Sequence, residues 1–163
     1  MSVEFIQASE DDIETLKSFY SAIGKKQDGY FETLFEKDCL VLMAKEEKQV
    51  IAFGILNFEP KYSLYKKLEI PEIQDLNVHP DYRQRGIATA LIENFEQIAT
   101  DQGSEAIGIS VGLTKDYGPA QRLYFKLGYM PDGNGITYDR EGVNHGESVT
   151  LNDHACLMML KDI

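Results

Sequence analysis

The sequence predicts an α/β fold: a mixed sheet with helices on both faces. Short runs of alternating apolar residues, stretches with apolar residues at helical spacing, and an order in which the two interleave all point to it. The 163 residues are 43% hydrophobic and include only 5 Pro. A chain of that size buries roughly two thirds of its unfolded surface, enough for one domain over residues 1–163 without a disulfide scaffold.

Taken in order, VEFIQA alternates as a strand. Ser9, with Asp12 three positions on, offers a cap with an acidic partner for a helix through Ile13, Leu16, Phe19, Tyr20 and Ile23. Residues 24–38 predict a turn and a short helix carrying Tyr30, Phe31, Leu34 and Phe35, and CLVLMAK and VIAFGILNF flank the polar turn EEKQ as an antiparallel hairpin. Residues 57–71 hold no period and contain Pro60 and Pro71, so a surface loop is expected there. EIQDLNV is the next strand, ended by HPDYRQRG, and Ala90, Leu91, Phe95, Ile98 and Ala99 mark a helix beginning at Ile87. EAIGISVGL is a strand, GPAQRLYFKLGY a helix opened by Pro119 and closed by Gly128, and HACLMMLKDI a C-terminal strand. Residues 131–150, rich in Gly, Asp and Asn, read as a long loop with room for one short strand.

Charge and composition exclude several functions. A formal net charge of -11 and a pI near 4.7 repel a phosphate backbone, so nucleic-acid binding is not expected and any anion site must be local. Cys39 and Cys156 sit in apolar runs and read as buried, reduced thiols, while His79, His145 and His154 fall at no metal-ligand spacing, so no metal is expected. The longest apolar stretch, Val50 to Leu56, is far short of the roughly 20 residues that span a bilayer, and the opening MSVEFIQASEDD has neither a basic start nor an apolar core. A cytoplasmic protein without membrane partners is the expectation.

One segment is chemically odd. Between a strand end and a helix start stand Arg83, Arg85, Gly86 and Ala88. Two cations at a helix N-terminus oppose the macrodipole, where an acid would stabilise, so the arrangement makes sense if an anion completes it. Gly86 supplies a position without a Cβ where backbone N–H groups can close on an oxyanion, and small Ala88 keeps the first turn open. A diphosphate fits such a cradle.

The run Arg83-Gln84-Arg85-Gly86-Ile87-Ala88 matches the phosphate-binding signature [Q/R]-x-x-G-x-[G/A], and Ala120, Leu123, Tyr124, Gly128 and Tyr129 match a second signature, N-x-x-A-x-x-L-Y-x-x-x-G-[F/Y], one helix and one strand later. On these two anchors, from about Val3 to the C-terminus, the chain resembles the GNAT superfamily of acetyl-CoA-dependent N-acyltransferases. The resemblance implies a GNAT-like mixed, mainly antiparallel twisted sheet and acetyl-CoA as co-substrate. It implies that backbone groups of Asn77 and Val78 serve the acetyl carbonyl and pantetheine arm, that Arg83, Gln84, Arg85, Gly86, Ile87, Ala88 and Thr89 hold the pyrophosphate, and that Tyr124 protonates the departing thiolate. Homodimers are common among such proteins. Tyr117 departs from the pattern, standing where the family usually has Asn.

An attacking amine must lose a proton, and a carboxylate is the natural acceptor. Glu72 stands where one branch of the family keeps a general-base glutamate, and Asp75 is the second candidate; strict alternation would put Glu72, Gln74, Leu76 and Val78 on one face of the strand and Asp75 and Asn77 on the other. Tyr62, Tyr65 and residues 24–36 are candidate walls of an acceptor pocket. The resemblance implies acetyl transfer to a primary amine, either a small cationic amine or a peptide N-terminus, and with no activated Cys and no G-x-S-x-G elbow the transfer is expected to be direct. The alternatives are a non-catalytic acyl-CoA-binding regulatory module and a phosphotransferase; the latter lacks its G-x-x-x-x-G-K-[ST] loop.

Overall fold

The computed structural model describes every residue except Met1 and Gln27. Its strands are β1 (Glu4–Gln7), β2 (Cys39–Glu46), β3 (Gln49–Asn57), β4 (Glu72–Val78), β5 (Ala106–Gly112), β6 (Met130–Tyr138), β7 (Glu141–Gly142) and β8 (Ala155–Asp162), in a mixed, mostly antiparallel eight-stranded sheet. The helices are α1 (Ile13–Ala22), α2 (Tyr30–Phe35), α3 (Ser63–Leu68), α4 (Ile87–Asp101) and α5 (Gly118–Lys126). The chain divides into two compact units whose boundaries fall inside β4 and α4: residues up to Phe58 with Gln74–Phe95, and Glu59–Ile73 with Glu96–Ile163.

In the first unit β1 pairs with β2 and β2 with β3, all antiparallel. Glu47 and Lys48, at φ 48° and 71°, turn the β2–β3 hairpin with both central residues left-handed, the geometry that matches strand twist. Ser9 forms the expected capping box with Asp12, but the box opens a single 3-10 turn, Glu10–Asp12, that feeds α1. Leu16, Phe19 and Tyr20 of α1 pack with Phe31 and Leu34 of α2 on Val41, Met43, Phe53 and Ile55. Gly54 lets this layer close: a Cβ there would lie 2.9 Å from both Leu76 and Phe95. The turn expected before α2 includes Gln27, which lies outside the described residues.

In the second unit Glu72 and Ile73 pair in parallel with Gly108 and Ile109 of β5, β5 pairs antiparallel with β8, and β8 with β6, which turns into β7. Two expectations are corrected here. The segment 57–71 is not all loop: Ser63–Leu68 is helical, and Tyr62 and Tyr65 are buried with Ile70, Cys156 and Met158. A six-residue helix is too short to show a period, and its burial comes from those two aromatic rings. The second correction is at 131–150, where β6 runs nine residues and tolerates Gly133 and Gly135 at positive φ across an interruption in its pairing with β8 between Pro131 and Ile136. Composition hides a strand of that kind.

No helix among the described residues is long and apolar enough to cross a membrane. Cys156 is buried as expected, whereas Cys39 is only half-buried.

Gly108 carries a very close approach in the second unit, because a Cβ there would run into the Tyr65 ring, whose hydroxyl donates to the Met159 carbonyl. Gly108→Ala is expected to destabilise the protein by about 1–3 kcal/mol, the usual cost of overpacking. Urea unfolding of the variant beside Gly54→Ala measures it.

Candidate functional site

The first unit holds the basic turn. His79 is fixed by its N–H on the Ile51 carbonyl (2.8 Å) and its ring accepts from the Asp81 N–H (3.2 Å), starting a 3-10 turn at Pro80–Tyr82. Beyond it Gln84 and Gly86 are both left-handed, at φ 60° and 78°, and α4 begins at Ile87. The first N–H groups of a helix have no intrahelical acceptor. Nothing lies within 4 Å of where a Gly86 Cβ would stand, so the space before these donors is open. An oxyanion group such as a diphosphate fits this geometry, with Gln84, Gly86, Ile87, Ala88 and Thr89 supplying backbone donors.

The two arginines differ. Arg83 is exposed, makes no ion pair among the described residues, and donates its Nε to the Val78 carbonyl at 3.3 Å. Arg85 already has its anion: it meets both oxygens of Glu46 at 2.7 and 3.4 Å and lies 5.3 Å from the Tyr82 ring. That hydrogen bond holds the Glu46 carboxyl below the usual carboxylate range. The inference that both arginines await an external anion is therefore corrected to one, Arg83. Glu46 lies 39 positions before Arg85, beyond any local signature.

Asp75, also in this unit, has φ 47° inside β4. A left-handed residue within a strand marks a bulge and breaks strict alternation, so facing cannot be counted from Glu72 through to Val78. The Asp75 carboxylate, 16% exposed, accepts from the hydroxyls of Tyr20 (2.9 Å) and Tyr30 (2.8 Å), from Asn77 Nδ2 (2.7 Å) and from Lys25 Nζ (3.4 Å). Burial first, and then the Asp75 charge, push both tyrosines well above the ordinary phenol value. Nothing in the sequence linked Tyr20, Lys25 and Tyr30 to Asp75; they are brought together by α1, the following turn and the first residue of α2. A pocket of about 380 Å³ beside them is lined by Lys17, Tyr20, Lys25, Lys26, Asp28 and Phe31, among others. Its three lysines make it locally more basic than the overall composition implies.

In the second unit Glu72 is fully buried, and its Oε1 lies 2.9 Å from the Arg140 guanidinium, which also donates to Ser110 Oγ at 3.2 Å. Asp139 and Arg140, at φ 48° and 67°, form the tight turn that presents this arginine. Tyr124 of α5 is 7% exposed, and its hydroxyl has no hydrogen-bond partner among the described residues; burial alone pushes it up to about 12. Such a phenol stays protonated at neutral pH and is free to donate. Tyr117, in the place of the family's Asn, caps α5, hydrogen-bonds Asp153 at 2.6 Å and lies against Gly112. Tyr62 and Tyr65, offered as pocket walls, are core residues instead. No group of His, Cys, Asp and Glu able to hold a metal occurs among the described residues.

This fold and these signatures define an acetyltransferase class. The family model described as Acetyltransferase (GNAT) family matches residues 7–129, and the chain belongs to that family. Among curated proteins, the thialysine N-epsilon-acetyltransferase of Bos taurus is 34% identical over 92 residues, 53% of this chain and 52% of that protein, so the match spans about half the length of that relative. Among solved structures, the ribosomal-protein-S18-alanine N-acetyltransferase of Escherichia coli superposes with a TM-score of 0.75 at 16% identity, over 99% of this chain and 94% of that one. Arabidopsis thaliana Naa50, in complex with the bisubstrate analogue CoA-Ac-MVNAL, superposes with a TM-score of 0.70 at 15% identity over 100% of both chains.

Two expected outcomes follow from the site's electrostatics. Arg140→Met leaves the Glu72 charge buried without its guanidinium and is expected to cost about 3–5 kcal/mol, measured by chemical unfolding at pH 7. Tyr20 and Tyr124, which are buried, and Tyr30, which is half-buried, lose their protons later in the folded than in the unfolded chain. Above about pH 10 the unfolded state therefore binds fewer protons, and stability falls as pH rises. Unfolding midpoints should be level across neutral pH and drop steeply beyond that point, less so in Tyr124→Phe.

Proposed function

We propose that this chain transfers the acetyl group of acetyl-CoA to a primary amine, a small cationic amine or a peptide N-terminus, by direct attack and without a covalent enzyme intermediate. The observation that carries the reading is the pair of left-handed residues, Gln84 and Gly86, that opens the N-terminus of α4 onto clear space beside an exposed arginine. Acetyl-CoA supplies the acetyl group already activated as a thioester. Arg83 and the backbone donors of residues 84–89 hold its diphosphate, and the backbone of Asn77 and Val78 orients its acetyl arm. Tyr124 holds the proton that the leaving sulfur requires.

Asp75 is the better general base of the two candidates. Its carboxylate reaches the surface, whereas Glu72 has no exposed surface and is committed to Arg140. A buried, charge-paired carboxylate has no path to an acceptor's proton. The name of the Bos taurus relative specifies an amine, the ε-nitrogen of thialysine, and Naa50 was captured with a peptide-bearing analogue; both support an amine acceptor.

The cradle is tested by CoA calorimetry. Gly86→Val should abolish binding, and Arg83→Ala should weaken it about ten- to hundredfold, the worth of one charge-assisted hydrogen bond. Arg85→Ala should change it less, because that arginine is spent on Glu46. Unchanged affinity in a folded Gly86→Val would sink the reading. Acetyl-CoA-dependent thiol release, screened over polyamines, amino acids and peptides, should find an amine acceptor, and Tyr124→Phe should then lower kcat by about 10² to 10⁴ with acetyl-CoA affinity nearly intact. CoA binding with no turnover on any amine would favour the non-catalytic binding module.

A further inference from the structure

We infer that Asp75, Tyr20, Tyr30 and Asn77 form a primary-ammonium site that the chain's own Lys25 fills in the resting protein. The inference rests on the proposed amine acetylation only in naming the displacing cation as the acceptor; the site itself stands on its geometry.

An ammonium group is recognised by converging oxygens, a carboxylate and, where available, an aromatic face. All three are present. The hydroxyls of Tyr20 and Tyr30 are both spent on Asp75 Oδ2, at 2.9 and 2.8 Å, which fixes the carboxylate and leaves Oδ1 facing Lys25. Asn77 donates its amide to Asp75 Oδ1 at 2.7 Å and to the Asp75 backbone carbonyl at 2.9 Å, so its own oxygen is turned outward as an acceptor. Lys25 Nζ takes that oxygen at 2.8 Å and lies 5.5 Å from the centre of the Tyr20 ring. The Tyr20 and Tyr30 rings stack at 5.5 Å and 25°, a rigid wall. The tyrosine donors are neutral, so the nearest positive charge to this carboxylate belongs to Lys25.

Lys25 is nevertheless a loose occupant. It approaches Asp75 Oδ1 at only 3.4 Å, and its side chain is 46% exposed while that of Asp75 is 16% exposed. An ion pair that open to water holds its cation weakly. Lys25 is not part of α1 or α2, and it lines, with Tyr20, the pocket of about 380 Å³ described above. Rotating its side chain away vacates the seat without moving a helix, and the cavity that Lys25 and Tyr20 line lies beside it with room for an alkyl chain's volume. An external alkylammonium thus competes with an internal one for the same oxygens, and Lys25 sets the threshold an acceptor must exceed.

The test is n-pentylamine binding to the full chain without acetyl-CoA, followed by calorimetry and by the NMR resonances of the Lys25 ε-methylene. The amine should shift those resonances toward solvent-exposed lysine values. Lys25→Met should tighten amine binding several-fold, Asp75→Asn should weaken it more than tenfold, and Tyr30→Phe should weaken it less than Asp75→Asn does. Amine affinity unchanged or reduced in Lys25→Met, insensitivity to Asp75→Asn, static Lys25 resonances, or no binding by either wild type or Lys25→Met would each overturn the inference. Thermal melts of each variant and CoA affinity, expected to be unchanged in Lys25→Met, separate misfolding from loss of the site. If amines bind as described but no thiol is ever released, the ammonium site stands and the acetyltransferase reading falls.

Discussion

Asp75 carries more of the first unit than its place on a strand suggests. Its carboxylate gathers donors from α1, from the turn after it, from the first residue of α2 and from its own strand. A side chain on a regular strand has neighbours fixed by the pleat, two residues away along the chain or directly across it. The left-handed conformation at Asp75 releases it from that lattice, and such strain persists only where surrounding contacts over-determine it. Here they are two phenol hydroxyls, an ammonium and an amide, all on one carboxylate.

Glu72, three residues earlier, shows the opposite use of the same chemistry. It is sealed, and Arg140 reaches it from the tip of the β6–β7 hairpin, so the acid fixes a distant turn to the start of β4. The Asp75 carboxylate, by contrast, keeps part of its surface in contact with solvent. Burial, more than residue type or spacing, separates a structural acid from a reactive one.

Local rules carried the sequence reading a long way. The β2–β3 hairpin, the Ser9 capping box, the strand at β4 and the glycine before α4 all rest on contacts within a few residues, and each was legible. The misses share a different cause. The Arg85–Glu46 pair, the Arg140–Glu72 pair and the Tyr20–Lys25–Tyr30 group each depend on residues tens of positions apart. The short helix α3 and the glycine-bearing strand β6 were hidden because tertiary packing and ladder pairing outvoted weak local preference. The fold class survived these errors because it depends on element order; the facing of Glu72 and Asp75 was not legible, because it depends on a pleat that Asp75 interrupts.

The tyrosines also make the molecule optically self-reporting. The chain has nine Tyr, eight Phe and no Trp, so phenols dominate its emission and the long-wavelength end of its near-ultraviolet absorption, the phenyl rings absorbing only weakly and at shorter wavelength. Tyr20 and Tyr30 on Asp75, Tyr62 on Asp132, Tyr117 on Asp153 and Tyr129 on Glu96 each donate a hydroxyl to a carboxylate. A phenol bound in this way differs spectrally from one in water, and no indole is present to mask the difference. Rearrangement around Asp75 is therefore visible in the absorbance of the unlabelled protein, without introducing a probe into the place where a ligand would sit.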